Sequence, residues 1–395
     1  MLKKEITFIY SDSAEKAIYQ TLLEEAEKRG YRTKLSSDPF ERCEIGFYCQ
    51  HINHPQYSKF SLVMLHDIIQ QYGYWPDIWF REPWNKYDIG ILPSDQWVNN
   101  WKKASFAYYS VPKRGMYKIG WPKADAIVKL KSPVYKKEFY AKYHLDEEKR
   151  TVLYAPAWEN DGKQDDFVRA MQNLNVNIII KQWDADPQKF PNQVKNVIEM
   201  RRMHENLPGV VILPPETNIF LAIAASDILV SEESSTMCEA AMMEIPAISV
   251  SDWLIPDVTP SRFPECNYDF VYTTTRDKLS NKVQDILNNY SEYKKRTEIF
   301  AKKNFANIGE TSKMIMDIID DCVSGNEIRY LPITPSSKKR LSLKKYIGHK
   351  YECLRRECYS NYAINSKMFN LIWNLLRKIK HRNDRIISKS ESTKD

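Results

Sequence analysis

Short apolar runs recur along the chain, and longer amphipathic stretches separate them. Ile6–Tyr10, Glu44–Tyr48, Ser61–Leu65, Asp88–Leu92 and Met116–Ile119 form a first series. Thr151–Tyr154, Asn177–Ile180, Val210–Leu213, Asp227–Val230, Ala247–Val250 and Phe270–Tyr272 form a second. Runs this short and mostly continuous, rather than alternating with polar residues, suit strands covered on both faces, as in a parallel sheet. Glu15–Arg29 has the spacing of an amphipathic helix and ends at Gly30, a residue that readily closes a helix. Arg276–Asn289 and Glu292–Cys322 are further helical stretches, expected to close the second series. The change of series falls in the charged, Pro-containing segment Ala126–Arg150. The predicted class is α/β, with two doubly wound Rossmann-like domains facing a cleft, over residues 1–130 and 131–330. A tail, residues 331–395, follows. The length of 395 residues is consistent with more than one core. No internal repeat is visible.

One segment carries more chemistry than the rest. Ser226–Val250 reads as a buried strand, the polar turn Glu232-Glu233-Ser234-Ser235-Thr236, a helix, and a second strand entered through Pro246. A helix that starts at the carboxyl end of a parallel strand offers free backbone N–H groups to a phosphate. The same residues also fit a simpler pattern. Thr236 followed by Glu239 matches a capping box, which needs no ligand, and taken alone the segment favours that reading.

Composition narrows the function classes. Residues 331–395 hold 16 Lys and Arg against 5 Asp and Glu, which leaves 42 against 46 in the rest of the chain. The body is mildly acidic and the basicity sits in the tail, so nucleic acid is not expected as a partner. The seven cysteines include no C-x-x-C pair, the pattern expected of reduced thiols in the cytoplasm. Cys49, His51 and His54 are close in sequence but have no second ligand pair nearby, so no metal is expected, and no cofactor motif is present. The first residues lead directly into a strand, without the pattern of a signal peptide, and no uncharged apolar run reaches membrane-spanning length.

Three motifs, in this order, carry a resemblance: Ile119-Gly120-Trp121-Pro122-Lys123-Ala124-Asp125, Tyr154-Ala155-Pro156-Ala157-Trp158 and Ser226–Ala240, SDILVSEESSTMCEA. Together they resemble the CDP-glycerol glycerophosphotransferase family, which builds teichoic acids and related polymers. Its typical patterns are Gly-Tyr-Pro-Arg-x-Asp, Tyr-Ala-Pro-Thr-Trp and Ser-Asp-x-Leu-x-x-Asp-Tyr-Ser-Ser. The resemblance covers roughly residues 60–320 and implies the two-domain B-type glycosyltransferase (GT-B) architecture. The family's His-Gly corresponds to His66-Asp67 after Leu62-Val63-Met64-Leu65. The resemblance therefore implies His66 as the base that deprotonates an acceptor hydroxyl, a task suited to a group titrating near neutral pH. It also implies that Ser234 and Ser235 hold the donor diphosphate, that Glu239 meets the ribose, and that Lys181 neutralises phosphate charge. Glu232 is a further donor-binding candidate, and Asp67, Trp158 and Asp125 are candidates for lining the cleft. The implied partners are CDP-glycerol or a related CDP-alditol as donor and a lipid-linked glycan as acceptor.

The departures bear on the donor. Asp67 replaces the glycine of His-Gly, Glu232-Glu233 replaces Asp-Tyr, Lys123 replaces arginine, and Gln182-Trp183 follows Lys181 where the family has a second histidine. These leave open a different CDP-alditol, a nucleotide-sugar glycosyltransferase of the same fold, and a non-catalytic nucleotide-binding relative. In the tail, Met368, Ile372, Leu375, Leu376 and Ile379 repeat at helical spacing, widened by Phe369 and Trp373 and flanked by Lys367, Arg377, Lys378, Lys380, His381 and Arg382. A basic amphipathic helix of this kind reads as a membrane-surface element. Each basic residue near an anionic leaflet adds about 1 kcal/mol. The expectation is peripheral attachment at the inner face of the cell membrane through Lys338–Arg382. The other reading is a helix packed on the body.

Overall fold

The computed structural model describes residues 2–11, 13–49, 54–65, 79, 82–105, 110–159, 162–188, 190–232, 234–253, 271–335, 342–344, 347–348 and 351. His66, Asp67 and the helix expected around residues 367–382 lie outside them.

Twelve strands form two six-stranded sheets, and every strand pair is parallel among the described residues. The first sheet contains β1 (Glu5–Ile9), β2 (Arg32–Ser36), β3 (Cys43–Cys49), β4 (Ser58–Met64), β5 (Ile89–Leu92) and β6 (Met116–Lys118), in the order β2-β1-β3-β4-β5-β6. The second contains β7 (Arg150–Tyr154), β8 (Val176–Ile180), β9 (Val210–Ile212), β10 (Ile228–Ser231), β11 (Ala247–Val250) and β12 (Val271–Thr274), in the order β12-β11-β10-β7-β8-β9. All the strands expected from the apolar runs are present. The additional strand, β2, has the sequence RTKLS and lies at the sheet edge with Arg32 and Lys34 exposed. Charged side chains blunt an exposed edge, and they also erase the apolar run that marks a buried strand.

Two helical expectations need correction. The stretch Glu15–Arg29 is two helices, Ser13–Ile18 and Gln20–Lys28, joined at Tyr19. The buried Tyr19 hydroxyl donates to Ile9 O at 2.7 Å and accepts from Cys49 N at 2.7 Å, which ties the junction to the sheet. Glu292–Cys322 is also two helices, Tyr290–Asn304 and Thr311–Ser324, separated by a turn in which Asn307 and Gly309 have positive φ. The second of these does not close the second sheet. It packs on Gln20–Lys28 beside the first, where the Arg29 guanidinium meets Asp317 at 2.7 Å and Asp320 at 2.8 Å. One continuous apolar cluster consequently includes Phe8 and Phe47 of the first sheet, Trp121, Phe220 and Met237 between the sheets, Leu153 and Leu229 of the second, and Ile315 of the returning helix.

Candidate active site

Beyond the carboxyl end of β6, the chain turns through Gly120 into the short segment Pro122–Ala126. Gly120 has φ +127, and a Cβ there would lie 2.5 Å from Thr311 Oγ1 and 2.6 Å from Ala306 O, so only glycine fits this contact with the returning chain. Asp125 is not free to line a cleft. Its carboxylate accepts from the backbone N–H of Gly309 at 2.9 Å, Thr311 at 3.1 Å and Ser312 at 2.6 Å, at the start of Thr311–Ser324. Donors left unpaired at a helix start, and the helix dipole, both favour a carboxylate there. Asp125 therefore fixes the segment that carries Lys123.

Lys123 reaches across to the second sheet. Its ammonium donates to Glu239 Oε1 at 2.8 Å, with the lysine side chain 14% and the glutamate side chain 4% exposed. The ammonium also lies 5.1 Å from the Trp121 ring centroid and 5.6 Å from that of Phe220. Glu239 Oε2 is buried and has no hydrogen-bond partner among the described residues. Lys181, at the carboxyl end of β8, feels the same pair. Burial pushes its ammonium down to about 8, Lys123 adds to that shift, and Glu239, Asp184 and Glu216 oppose it. Asp184 and Glu216 are exposed, so solvent weakens their share.

The expected capping box is not formed. The helix is Thr236–Met242 with Ser235 at its N-cap and no side-chain cap bond. Thr236 Oγ1 donates to Ala155 O at 3.2 Å, and Glu239 is engaged by Lys123. Tertiary partners have taken both side chains that the local pattern paired. Ser234 is buried and its Oγ accepts from Thr236 N at 3.3 Å.

A second polar network lies beneath this edge. Glu232, wholly buried, accepts from Trp158 N at 2.7 Å through Oε1 and from Ser231 Oγ at 3.2 Å through Oε2. Buried Lys163 is 3.8 Å from the same Oε1, and its Nζ lies over the rings of Trp253 and Tyr154. Glu159 accepts from Tyr154 OH at 3.0 Å and Gln182 Nε2 at 3.0 Å. Burial raises its carboxyl to about 7, against the pull of Lys163 and the Gln182 hydrogen bond. Burial also raises the Glu232 carboxyl, which Lys163 and Trp158 N oppose. The carboxylate of Glu232 thus points inward and braces the loop bearing Trp158. Trp158 itself is half-buried and meets Trp183 at 5.9 Å and Phe190 at 5.5 Å between ring centroids. Gln182 belongs to the buried network and Trp183 to this ring cluster.

Of the residues singled out in sequence, Lys181 and Glu239 lie close enough to act on each other, and Ser234 and Ser235 sit at the start of the Glu239 helix. Glu232 and Trp158 are joined below that edge, and Asp125 is a tether. Lys123 and Lys163 were not anticipated as site residues, because their partners are distant in sequence. Among the described residues no group of three or more His, Cys, Asp or Glu is arranged to hold a metal ion. No described helix is long and apolar enough to cross a membrane.

Comparison with known proteins adds the following. Residues 70–320 match the family described as CDP-Glycerol:Poly(glycerophosphate) glycerophosphotransferase. No curated protein matches significantly. Among solved structures, the wall teichoic acid polymerase TagF is similar with a TM-score of 0.57 and 14% identity, over 82% of this chain and 89% of that one. A TagF variant soaked with CDPG gives a TM-score of 0.58 and 15% identity, over 82% and 89%. UDP-GlcNAc 2-epimerase from Neisseria meningitidis bound to UDP-GlcNAc gives 0.52 and 13%, over 80% of this chain and 99% of that one. These likenesses establish the GT-B fold.

Proposed function

The chain belongs to the CDP-glycerol:poly(glycerophosphate) glycerophosphotransferase family, and on that premise we propose that it transfers glycerol phosphate from CDP-glycerol to a hydroxyl of a lipid-linked glycan or polymer. It is a glycerophosphotransferase-like transferase of the class that serves teichoic acid biosynthesis. In the proposed step, the acceptor oxygen forms a bond to the β-phosphorus of the donor. The bond from that phosphorus to the bridging oxygen breaks, and CMP leaves. His66 takes the acceptor proton, as the family resemblance implies. Phosphoryl transfer is mainly positioning and charge stabilisation, so a preorganised donor site supplies much of the catalysis.

The observation that carries this reading is the convergence at one strand edge of Lys181, Ser234, Ser235 and Glu239. A cation, two hydroxyls and a carboxylate with an unpartnered oxygen suit a ligand bearing both phosphates and sugar hydroxyls. In the proposal, Ser234 and Ser235 face the diphosphate, Lys181 balances its charge, and Glu239 receives a ribose hydroxyl. Glu232 supports the Trp158 loop from below. The tail brings the enzyme to the inner face of the membrane, where a lipid-linked acceptor is found.

Calorimetric titration of the full chain with CDP-glycerol, CDP-ribitol, CMP, UDP and UDP-sugars tests the donor assignment. Selective binding of cytidine nucleotides, lost in the Ser234→Ala/Ser235→Ala variant, is expected. Preference for uridine nucleotides would move the chain to the nucleotide-sugar glycosyltransferases of the same fold, and binding of none would favour a non-catalytic relative.

A further inference from the structure

The Lys123–Glu239 pair joins residues 116 apart and spans the two sheets. Three features set it apart from an ordinary structural ion pair. First, it is incomplete, since buried Glu239 Oε2 has no hydrogen-bond partner among the described residues. A carboxylate that is nine-tenths buried is normally satisfied on both oxygens, because leaving one bare is costly. Second, it is crowded by its own sign, with the half-buried ammonium of Lys181 close enough for Lys123 to disfavour its charge. Glu239 is the buried carboxylate between the two cations, while Asp184 and Glu216 oppose the shift of Lys181 from solvent-exposed positions where their charge is screened, so a further anion at this point would be favoured. Third, the lysine is held in place. The aromatic rings of Trp121 and Phe220 lie on the ammonium, and the Asp125 carboxylate pins the segment two residues further on.

Position points to the anion. Glu239 stands one turn along the helix from Ser235. A helical turn rises about 5.4 Å, so the Lys123 ammonium is within a diphosphate's reach of the helix start. We propose that Lys123 is a donor ligand supplied by the first-sheet half of the molecule: it neutralises the distal phosphate of the nucleoside diphosphate held on the second half, while Glu239 Oε2 takes a hydroxyl of the same molecule. The donor thereby bridges the two halves, and Asp125 acts as a positioning residue through Lys123. This inference rests on the donor reading above.

Binding of CDP-glycerol and of CMP to the full-length protein, with Lys123→Met and Lys123→Arg, tests it. CMP lacks the distal phosphate and serves as the internal control. Loss of one charge-assisted contact is expected to weaken CDP-glycerol binding about 10- to 100-fold in Lys123→Met, with CMP binding changed by less than about 3-fold. Lys123→Arg keeps the cation and is expected to restore CDP-glycerol binding to within a few-fold of the unaltered protein. Equal weakening of both ligands, or unchanged CDP-glycerol binding with only a lowered melting temperature, would make Lys123 a structural residue and overturn the inference while leaving the donor assignment standing. Failure of the unaltered protein to bind CDP-glycerol would overturn the donor assignment, and the inference with it.

Discussion

The second sheet carries two buried polar regions that lie at the same edge and behave differently. The inner one, around Glu159, Lys163, Gln182 and Glu232, draws all its partners from the second half of the chain and braces the loops after β7 and β10. The outer one, around Lys123, Lys181 and Glu239, is assembled from both halves and leaves a carboxylate oxygen unpartnered. Burial of charge alone does not separate a framework from a binding site. Both leave a buried polar atom without a hydrogen-bond partner among the described residues, Lys163 Nζ and Gln182 Oε1 in the inner one and Glu239 Oε2 in the outer one, so what separates them is that the inner network is built within one half and the outer one joins the two. An inner charge removed should cost folding, and an outer one should cost ligand.

The largest effect is therefore expected at Glu232. Glu232→Ala leaves the Lys163 ammonium buried without its carboxylate and removes the acceptor of Trp158 N, so it should destabilise the fold by about 3–5 kcal/mol in denaturant titrations. Asp125→Ala strips three backbone N–H groups of their acceptor and should cost about 1–3 kcal/mol. It should also weaken CDP-glycerol binding more than CMP binding if Asp125 acts through Lys123. Ser234→Ala/Ser235→Ala lies on the outer side of the comparison. It should reduce CDP-glycerol affinity about tenfold or more while shifting stability by less than about 1 kcal/mol. A large stability loss from the serine pair would erase the distinction between the two regions.

The pH dependence sharpens the same comparison. The Glu159 carboxyl, raised from 4.5 to about 7, belongs to the inner region. Between those values the folded chain holds more protons than the unfolded one, so this group's contribution is lost as pH rises to about 7. The Lys181 ammonium, lowered from 10.5 to about 8, belongs to the outer region. Between those values the unfolded chain holds more protons, so its contribution improves as pH rises from about 8. The two together are least favourable between about 7 and 8. Glu159→Gln should flatten the acid limb of a stability–pH curve and Lys181→Met the alkaline limb. Donor affinity should fall as pH rises through about 8, where Lys181 loses its charge, and Lys181→Met should remove that fall.

Sequence made the central strands legible because a parallel strand covered on both faces must be apolar throughout, as in Ile178–Ile180 and Ile228–Val230. It concealed β2, whose edge position calls for Arg32 and Lys34. It also concealed the break at Tyr19, an aromatic residue that fits an amphipathic helix but whose hydroxyl is drawn to Ile9 O. For the site, it marked Ser234, Ser235, Glu239 and Lys181 through the family resemblance, since the local pattern by itself favoured a capping box. It could not give the direction of Glu232, since neighbouring side chains at a strand end can turn either inward or outward. Nor could it pair Lys123 with Glu239 or Asp125 with Thr311, which only the folded chain brings together. The helix Thr311–Ser324 shows the same limit: its apolar face was visible, but the half of the molecule it covers was not.

The most direct test of the account is turnover followed by phosphorus NMR, with CDP-glycerol, the full-length protein and a lipid-linked glycan acceptor in anionic vesicles. The account predicts CMP appearing in step with a new phosphodiester on the acceptor, both abolished in His66→Ala. Release of a nucleoside diphosphate from a nucleotide sugar instead, or a CDP-glycerol signal unchanged in the presence of acceptor and active-site lysines intact, would contradict it.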